Sequence, residues 1–330
     1  MTGGLLILAA VAAAADDGEF PTFKDWTVGC DNGRSCMAVG QYNPSNFELA
    51  SVVVERGPMA GDVPKIWFRN DDNSKVVDLA ANGKRLGVTL KEDADEYNVN
   101  VDAASAAKVI AAMTSAKTLI PVRADGKKAF PLSISGASAA LRWMDEQQKR
   151  AGTVTALVAK GPAPASAVPA APPLPVVTAA VPAGAVGKPL TNADVARIQE
   201  EHAECTDEDL NDKVQYGRID SRTTLAIVTA VCGSGAYNYY GIPMLLRDDG
   251  TREVAELDKD EGDISMNLSW DDKTHVLSSY FKGRGIGDCG GGNDWVWDGT
   301  RFRVILEKAM GDCLGAIAWI PYYRARVVPK

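Results

Sequence analysis

The sequence predicts a mainly β protein: two antiparallel β-sandwich or barrel-like domains with a few short helices, joined by a Pro/Ala-rich linker. Three observations carry this. Short β-rich runs, separated by Asn, Asp, Gly and Pro, follow one another in both halves of the 330-residue chain. The stretch 151–190 holds eight of the 17 prolines and almost no charge. The six cysteines fall into a set of two before that stretch and a set of four after it. A chain longer than about 250–300 residues also exceeds what one hydrophobic core usually serves.

The first apolar run, Leu5 to Ala15, turns abruptly acidic at Asp16. It is shorter than the ~20 residues a bilayer span needs. Its length and small residues read as a signal peptide over 1–15, which places the mature protein in the periplasm or outside the cell. The alternative is a buried N-terminal strand or helix. No later segment is long and apolar enough to read as a transmembrane helix.

Residues 16–150 read as the first domain. "DWTVGC", "CMAVGQY", "ASVVVERG", "KIWFRN", "KVVDL", "GVTL" and "YNVNV" are expected strands. A helix follows near Ala103 to Ser115 with Asp102 as N-cap. A second follows Ser135, near Ala137 to Lys149, with Leu141 and Met144 on one face. "TLIPVR" and "FPLSI" lie between them as further strands. In 151–190 proline removes backbone donors and alanine offers little to bury, so an extended, semi-rigid linker is expected. Its lack of charge also suits a segment lying against a surface.

Residues 191–330 read as the second domain. "TNADVARIQEEHAEC" begins as a helix capped by Thr191, with Asp194 in its first turn. Strands are expected at "TTLAIVTAVC", "YNYYGIPMLLR", "REVAEL", "ISMNLSW", "THVLSSYF", "DWVWDG", "RFRVILE" and "IPYYRARVV". Hairpin turns are expected between Trp270 and His275 and between Trp297 and Phe302.

An exported chain with an even number of cysteines predicts disulfides. Division by halves favours Cys30–Cys36, Cys205–Cys232 and Cys289–Cys313. Loop closure is worth about 2 kcal/mol for the short loop and roughly 3.5 for each long one.

The motifs "FKDWTVGCDNGRSCMAV" and "FPLSISGASAALRWMDEQQ" resemble the invasion-associated locus B family of exported bacterial proteins. The resemblance runs from about Phe23 to Gln148 and rests on Trp26, the Cys30/Cys36 pair and the strand-then-helix ending. It implies a β-sandwich-like exported module linked to host-cell interaction. The second half, with "SGAYNYYGIPM", "LSSYFKGRGIGDCG" and "WVWDGTRFRV", is similar to a periplasmic bacterial family of unknown function in which both halves occur together. That family implies no activity, and the added linker and second domain set this chain apart from the first.

Composition narrows the function. Charged residues are 24%, hydrophobic ones 46%, and the net charge is −8. With no basic run, neither nucleic acid nor an anionic membrane surface is an expected partner. "KGRGIGDCGGGNDWVWDG" carries seven glycines. Gly285 to Gly290 matches G-x-G-x-x-G, but a turn and strand follow where a dinucleotide site needs a helix, and no Gly-Lys-Ser/Thr is present. The structural reading is a wide turn whose glycines supply φ > 0.

The functional reading is a contact loop. Arg284 would face a partner carboxylate or phosphate, oriented by Asp288. Trp295 and Trp297, on one face of a strand, form either a core ladder opposite Phe302 and Val304 or an exposed platform with tyrosines such as Tyr239.

Neither His202 beside Cys205 nor His275 has companions that complete a metal site. The acidic loop Leu257 to Asp263 fails the EF-hand spacing, and no Gly-x-Ser-x-Gly elbow occurs. No cofactor, metal or catalytic residue is therefore assigned. The expected function is a non-enzymatic binding protein of the cell envelope with a protein or envelope component as partner. The alternatives are an inhibitor of a wall-active hydrolase and a carboxylate-dependent hydrolase.

Overall fold

The computed structural model describes residues 20–41, 51–69, 74–93, 97–127, 129–203, 214–231, 235–260, 262, 264–313 and 315–330. The apolar run at 1–15 and both Cys205 and Cys232 lie outside the described residues.

In the first half, alternating side chains build a seven-stranded antiparallel sheet. Edge to edge it runs Thr22–Phe23, Trp26–Cys30, Cys36–Gln41, Ser51–Arg56, Lys65–Arg69, Asn98–Val101 and Leu90–Glu92. One face carries Val28, Ala38, Val52, Val54, Ile66 and Phe68 into the main core. Helices α1 (Ala103–Ser115) and α2 (Ala137–Gln147) contribute to that core, as does a small sheet of Leu119–Arg123, Val76–Ala81 and Lys84–Arg85.

Asp102 caps α1 as expected, its carboxylate accepting from the Ala104 N–H at 3.0 Å. α2 starts at Ala137 as expected and ends at Gln147, two residues early; its N-cap is Gly136, with φ 99°. A Cβ there would stand 1.7 Å from the Phe23 carbonyl oxygen, so only glycine lets the chain pass. Leu141 and Met144 are fully buried. "FPLSI" makes only an isolated bridge, Leu132 to Leu119.

The opposite face of the large sheet carries Met37, Val39, Val53 and Trp67. Ala316, Ala318 and Ile320, from the end of the chain, cover it together with Phe20. That is why Val52, Val53 and Val54 are all fully buried: a valine run belongs to a strand covered on both faces. Arg324 Nε pairs with the buried Asp31 carboxylate at 2.8 Å. Asn32 exchanges two hydrogen bonds with the Arg324 backbone.

The stretch 151–190 is hydrogen-bonded to both halves along its length. Asp145, fully buried on α2, accepts the N–H groups of Leu157, Val158 and Ala159 at 2.7, 2.8 and 3.0 Å. Val176–Ala179 pairs in parallel with Arg326–Pro329. Farther on, Ala180 N–H reaches the Trp297 carbonyl, Gly187 N–H the Thr224 hydroxyl and Leu190 N–H the Tyr216 hydroxyl. The prolines keep the chain extended. The residues between them supply the donors, so the segment forms a strap along the surface and not a free spacer.

The second half stacks two sheets. The first holds Val214–Arg218, Thr223–Ala230, Tyr240–Arg247 and Arg252–Val254, with Ser265–Met266 on Tyr240 and Gly241. The second runs Ser269–Asp271, Val276–Lys282, Gly290–Trp297, Phe302–Ala309 and Ile320–Arg324. Leu225, Ile227 and Leu245 meet Trp270, Leu277, Trp295, Trp297 and Phe302 between them.

Helix α3 (Asn192–Ala203) covers the other face of the first sheet with Val195 and Ile198. Its cap is reciprocal: Asp194 N–H donates to the Thr191 hydroxyl and Thr191 N–H to the Asp194 carboxylate. "IPYYRARVV" is two strands, broken at Ala325. Among the described residues no helix is long and apolar enough to cross a membrane.

Two outcomes follow. Ile320→Ala removes a fully buried side chain from the seam, so it should cost about 2–5 kcal/mol in urea unfolding. It should also speed hydrogen exchange in Ser51–Arg56, far away in sequence. For Asp194, hydrogen bonds from Thr191 and then Arg252 hold its carboxyl at about 2. The ionised form therefore favours folding. That contribution is complete above the unfolded value of ~3.9 and disappears as pH falls through about 2. Asp194→Asn should flatten the dependence of stability on pH across that window, measured by denaturant unfolding at each pH.

Candidate binding surface

The glycine-rich stretch is mostly a strand. Gly290, Gly291 and Gly292 lie in Gly290–Trp297, paired to Val276–Lys282 on one side and Phe302–Ala309 on the other. The expected wide turn shrinks to 283–289. Of the glycines in that turn only Gly287, at φ 71°, takes a left-handed conformation. The strand glycines answer to close approach. A Cβ at Gly291 would stand 2.7 Å from the Phe281 ring, and one at Gly292 would stand 2.6 Å from the Ser279 carbonyl oxygen.

The turn is closed from inside. Cys289 is bonded to Cys313, with Cα atoms 4.8 Å apart, and Cys30 is bonded to Cys36 in the first half. Arg284 donates from Nε to Asp288 Oδ1 at 2.6 Å, from Nη2 to Oδ2, and from Nη2 to the Cys313 carbonyl at 2.9 Å. Asp288 is fully buried and also accepts the Gly315 N–H at 2.7 Å. The Arg284 hydrogen bond holds the Asp288 carboxyl below its usual range against the opposing effect of burial. Arg284 thus staples its own turn through Nε and Nη2, with its side chain 37% exposed.

Trp295 and Trp297 are 0% and 2% exposed. Their indole N–H groups donate to the Asp258 carbonyl at 2.8 Å and the Asp220 carboxylate at 2.7 Å. Opposite Val304 and Phe302 they form the sheet core, so they support the surface from beneath and present nothing to a partner.

Tyr239, a predicted contact residue, faces solvent and is 43% exposed. Other exposed aromatic side chains in this region are Tyr237 at 74%, Phe281 at 51% and Tyr280 at 38%. Two buried asparagines hold their backbone. The Asn238 carboxamide accepts from Lys282 N–H and donates to the Lys282 carbonyl. Asn267 Nδ2 donates to Asn238 Oδ1 and to the Tyr280 carbonyl, while its Oδ1 accepts the Tyr239 N–H. Ala236 and Tyr237 both sit at left-handed φ, 56° and 58°, a conformation these bonds maintain.

Lys282 Nζ lies 6.0 Å from both the Tyr237 and Tyr280 ring centres. Tyr280 meets Trp319 edge-on at 6.4 Å. A cavity of about 290 Å³ opens beside them, bounded by Tyr239, Tyr240, Asn267 and Tyr280. The tyrosines of "AYNYYG" hinted at this surface. The part played by Tyr280, Phe281 and the two asparagines was missed, because exposure and cross-loop pairing leave no trace in local spacing.

His275 stands at the hairpin turn with its ring stacked on Trp270 at 6.2 Å. Among the described residues no group of three or more His, Cys, Asp or Glu is placed to hold a metal ion. The buried carboxylates Asp31, Asp78, Asp145 and Asp288 each accept backbone N–H groups.

Residues 20–326 match a family described as a protein of unknown function, DUF1176. The chain belongs to this family. The match spans both halves and does not show the likeness of the first half to invasion-associated locus B. The chain is also similar to the uncharacterized protein YpfG of Escherichia coli (strain K12). The two are 27% identical over 313 residues, covering 88% of each chain. No solved structure matches.

Arg284→Ala leaves the buried Asp288 carboxylate with the Gly315 N–H but no cation. The variant should melt several degrees lower in calorimetry under oxidising conditions. An unchanged melting temperature would mean the backbone alone satisfies Asp288.

Proposed function

We propose that this protein is an exported, non-enzymatic binding protein of the bacterial envelope, and that it engages its partner through the exposed aromatic surface of its second half. One observation carries the reading. Tyr237, Tyr239, Tyr280 and Phe281 stand exposed around a turn that a disulfide and the pairing of Arg284 with the buried Asp288 hold in place.

Aromatic side chains give large contact area with few rotatable bonds, and a surface fixed in advance loses little entropy on binding. Rings of this kind suit the apolar faces of sugars and the side chains of peptides. Paired cysteines at Cys30–Cys36 and Cys289–Cys313 suit the oxidising compartment that export implies. The strap along 151–190 sets the two halves as units of one rigid adaptor. The commitment of Asp31, Asp78, Asp145 and Asp288 to backbone N–H groups weighs against the hydrolase reading. The engagement of Arg284 with Asp288 and the Cys313 carbonyl weighs against an inhibitor that presents this guanidinium in a cleft.

Capture from an envelope extract tests the proposal. Tyr237→Ser and Phe281→Ser, at exposed positions, should leave the melting temperature nearly unchanged and abolish the partners retained by the wild-type protein. Full retention by the double variant would overturn the aromatic surface as the contact site.

A further inference from the structure

The strap does more than join the halves. Between its turn at 154–160 and helix α1 lies a cavity of about 410 Å³, within the range of small-molecule sites. Ala107, Ile110 and Ala111 of α1 form one wall, and Val154, Leu157 and Val158 of the strap form the other. The remaining lining includes Arg56, Lys160 and the hydroxyl residues Thr114 and Thr155. The described residues that line it contain two cations and no carboxylate.

Arg56 is the unusual group. Its side chain is only 5% exposed. Nε donates to the Asp62 carbonyl at 3.0 Å, but Nη1 has no hydrogen-bond partner. The carboxylate nearest to Nη1, Asp145 Oδ1, is 4.0 Å away and already accepts the Leu157 N–H. Arg150, itself buried, is hydrogen-bonded to Gln148, Thr155 and the carbonyls of Gly57, Met59 and Ala60, and it shares the field of the Asp62 and Asp145 carboxylates with Arg56. Burial, and next the Arg150 charge, pull the Arg56 guanidinium down to about 10. The Asp145 and Asp62 carboxylates offset this charge without bonding Nη1, so a buried guanidinium keeps an empty donor beside a mostly aliphatic cavity whose described lining has no carboxylate.

We propose that this cavity binds a small amphiphilic carboxylate, its apolar body between α1 and the strap and its carboxylate against Arg56. Aliphatic walls select the body. Arg56 inside and the exposed Lys160 at the rim select the negative head group over a neutral or cationic one.

Titration calorimetry on the full oxidised chain, with octanoate as probe, tests the site. Octanoate should bind saturably with one-to-one stoichiometry. 1-Octanol should bind on the order of tenfold or more weakly, and octylamine should not bind. Lys160→Ala and Arg56→Met should each weaken octanoate by about tenfold. Because Arg56 is buried and its variant can fail to fold, Ala111→Trp provides the second arm. It fills the cavity from an exposed helix position and should abolish binding with the circular dichroism spectrum intact. Absence of octanoate binding, equal binding of octylamine, or full binding by folded Ala111→Trp would each overturn the proposal.

Discussion

Val53 sets the constraint on which the molecule rests. Its neighbours Val52 and Val54 face the helices, so Val53 faces the other way, and all three are sealed from water. A strand has two faces, and three consecutive buried valines demand a cover on each. The second cover comes from Ala316, Ala318 and Ile320. Ile320 also begins the strand that pairs with Phe302–Ala309 and so belongs to the sheet beneath the aromatic surface. One strand therefore completes the core of the first half while serving as the edge of the last sheet.

Charge locks what the apolar seam brings together. α2 ends beside the start of the strap, where three successive N–H groups converge on Asp145. Arg150, fully buried, gathers carbonyls of residues 57, 59 and 60 from across the fold. A buried cation satisfied by neutral oxygens is costly to expose and has little freedom to re-pair. The strap is consequently fixed at its beginning by electrostatics, near its middle by the parallel pairing of Val176–Ala179, and toward its end by hydroxyls of Thr224 and Tyr216.

The legible parts of the sequence were the local ones. Asp102 at the head of α1, the reciprocal Thr191/Asp194 cap, the hairpins after Trp270 and Trp297, and the Trp295/Trp297 ladder all act within a few residues, and each was anticipated. The strand Val176–Ala179 was not, because its only ladder partner lies at Arg326–Pro329 and nothing near it in sequence announces a pairing. Val214–Arg218 was missed because its alternation is too short: after Val214, Gln215 and Tyr216 come a glycine and an arginine. The seam escaped for the same reason as the parallel pair. At the candidate surface, the link between Arg284 and Asp288 was visible as spacing. The burial of Asp288 was not, since it depends on Gly315 arriving from the next loop.

The run Gly290-Gly291-Gly292 shows how far local reading can mislead. Glycine weakens a strand, because it gives up backbone entropy and packs no side chain. Here both faces of the strand use the vacancy. The Phe281 ring lies against Gly291, and across the strand Tyr280 and Lys308 close over Gly292, with Tyr280 meeting Trp319 beyond. A few residues along, the same strand turns Trp295 and Trp297 into the core. One strand thus anchors the core at one end and seats exposed rings at the other. The rings inherit the rigidity of the core. An aromatic surface on a free loop would lose that rigidity and pay its ordering entropy at the moment of contact.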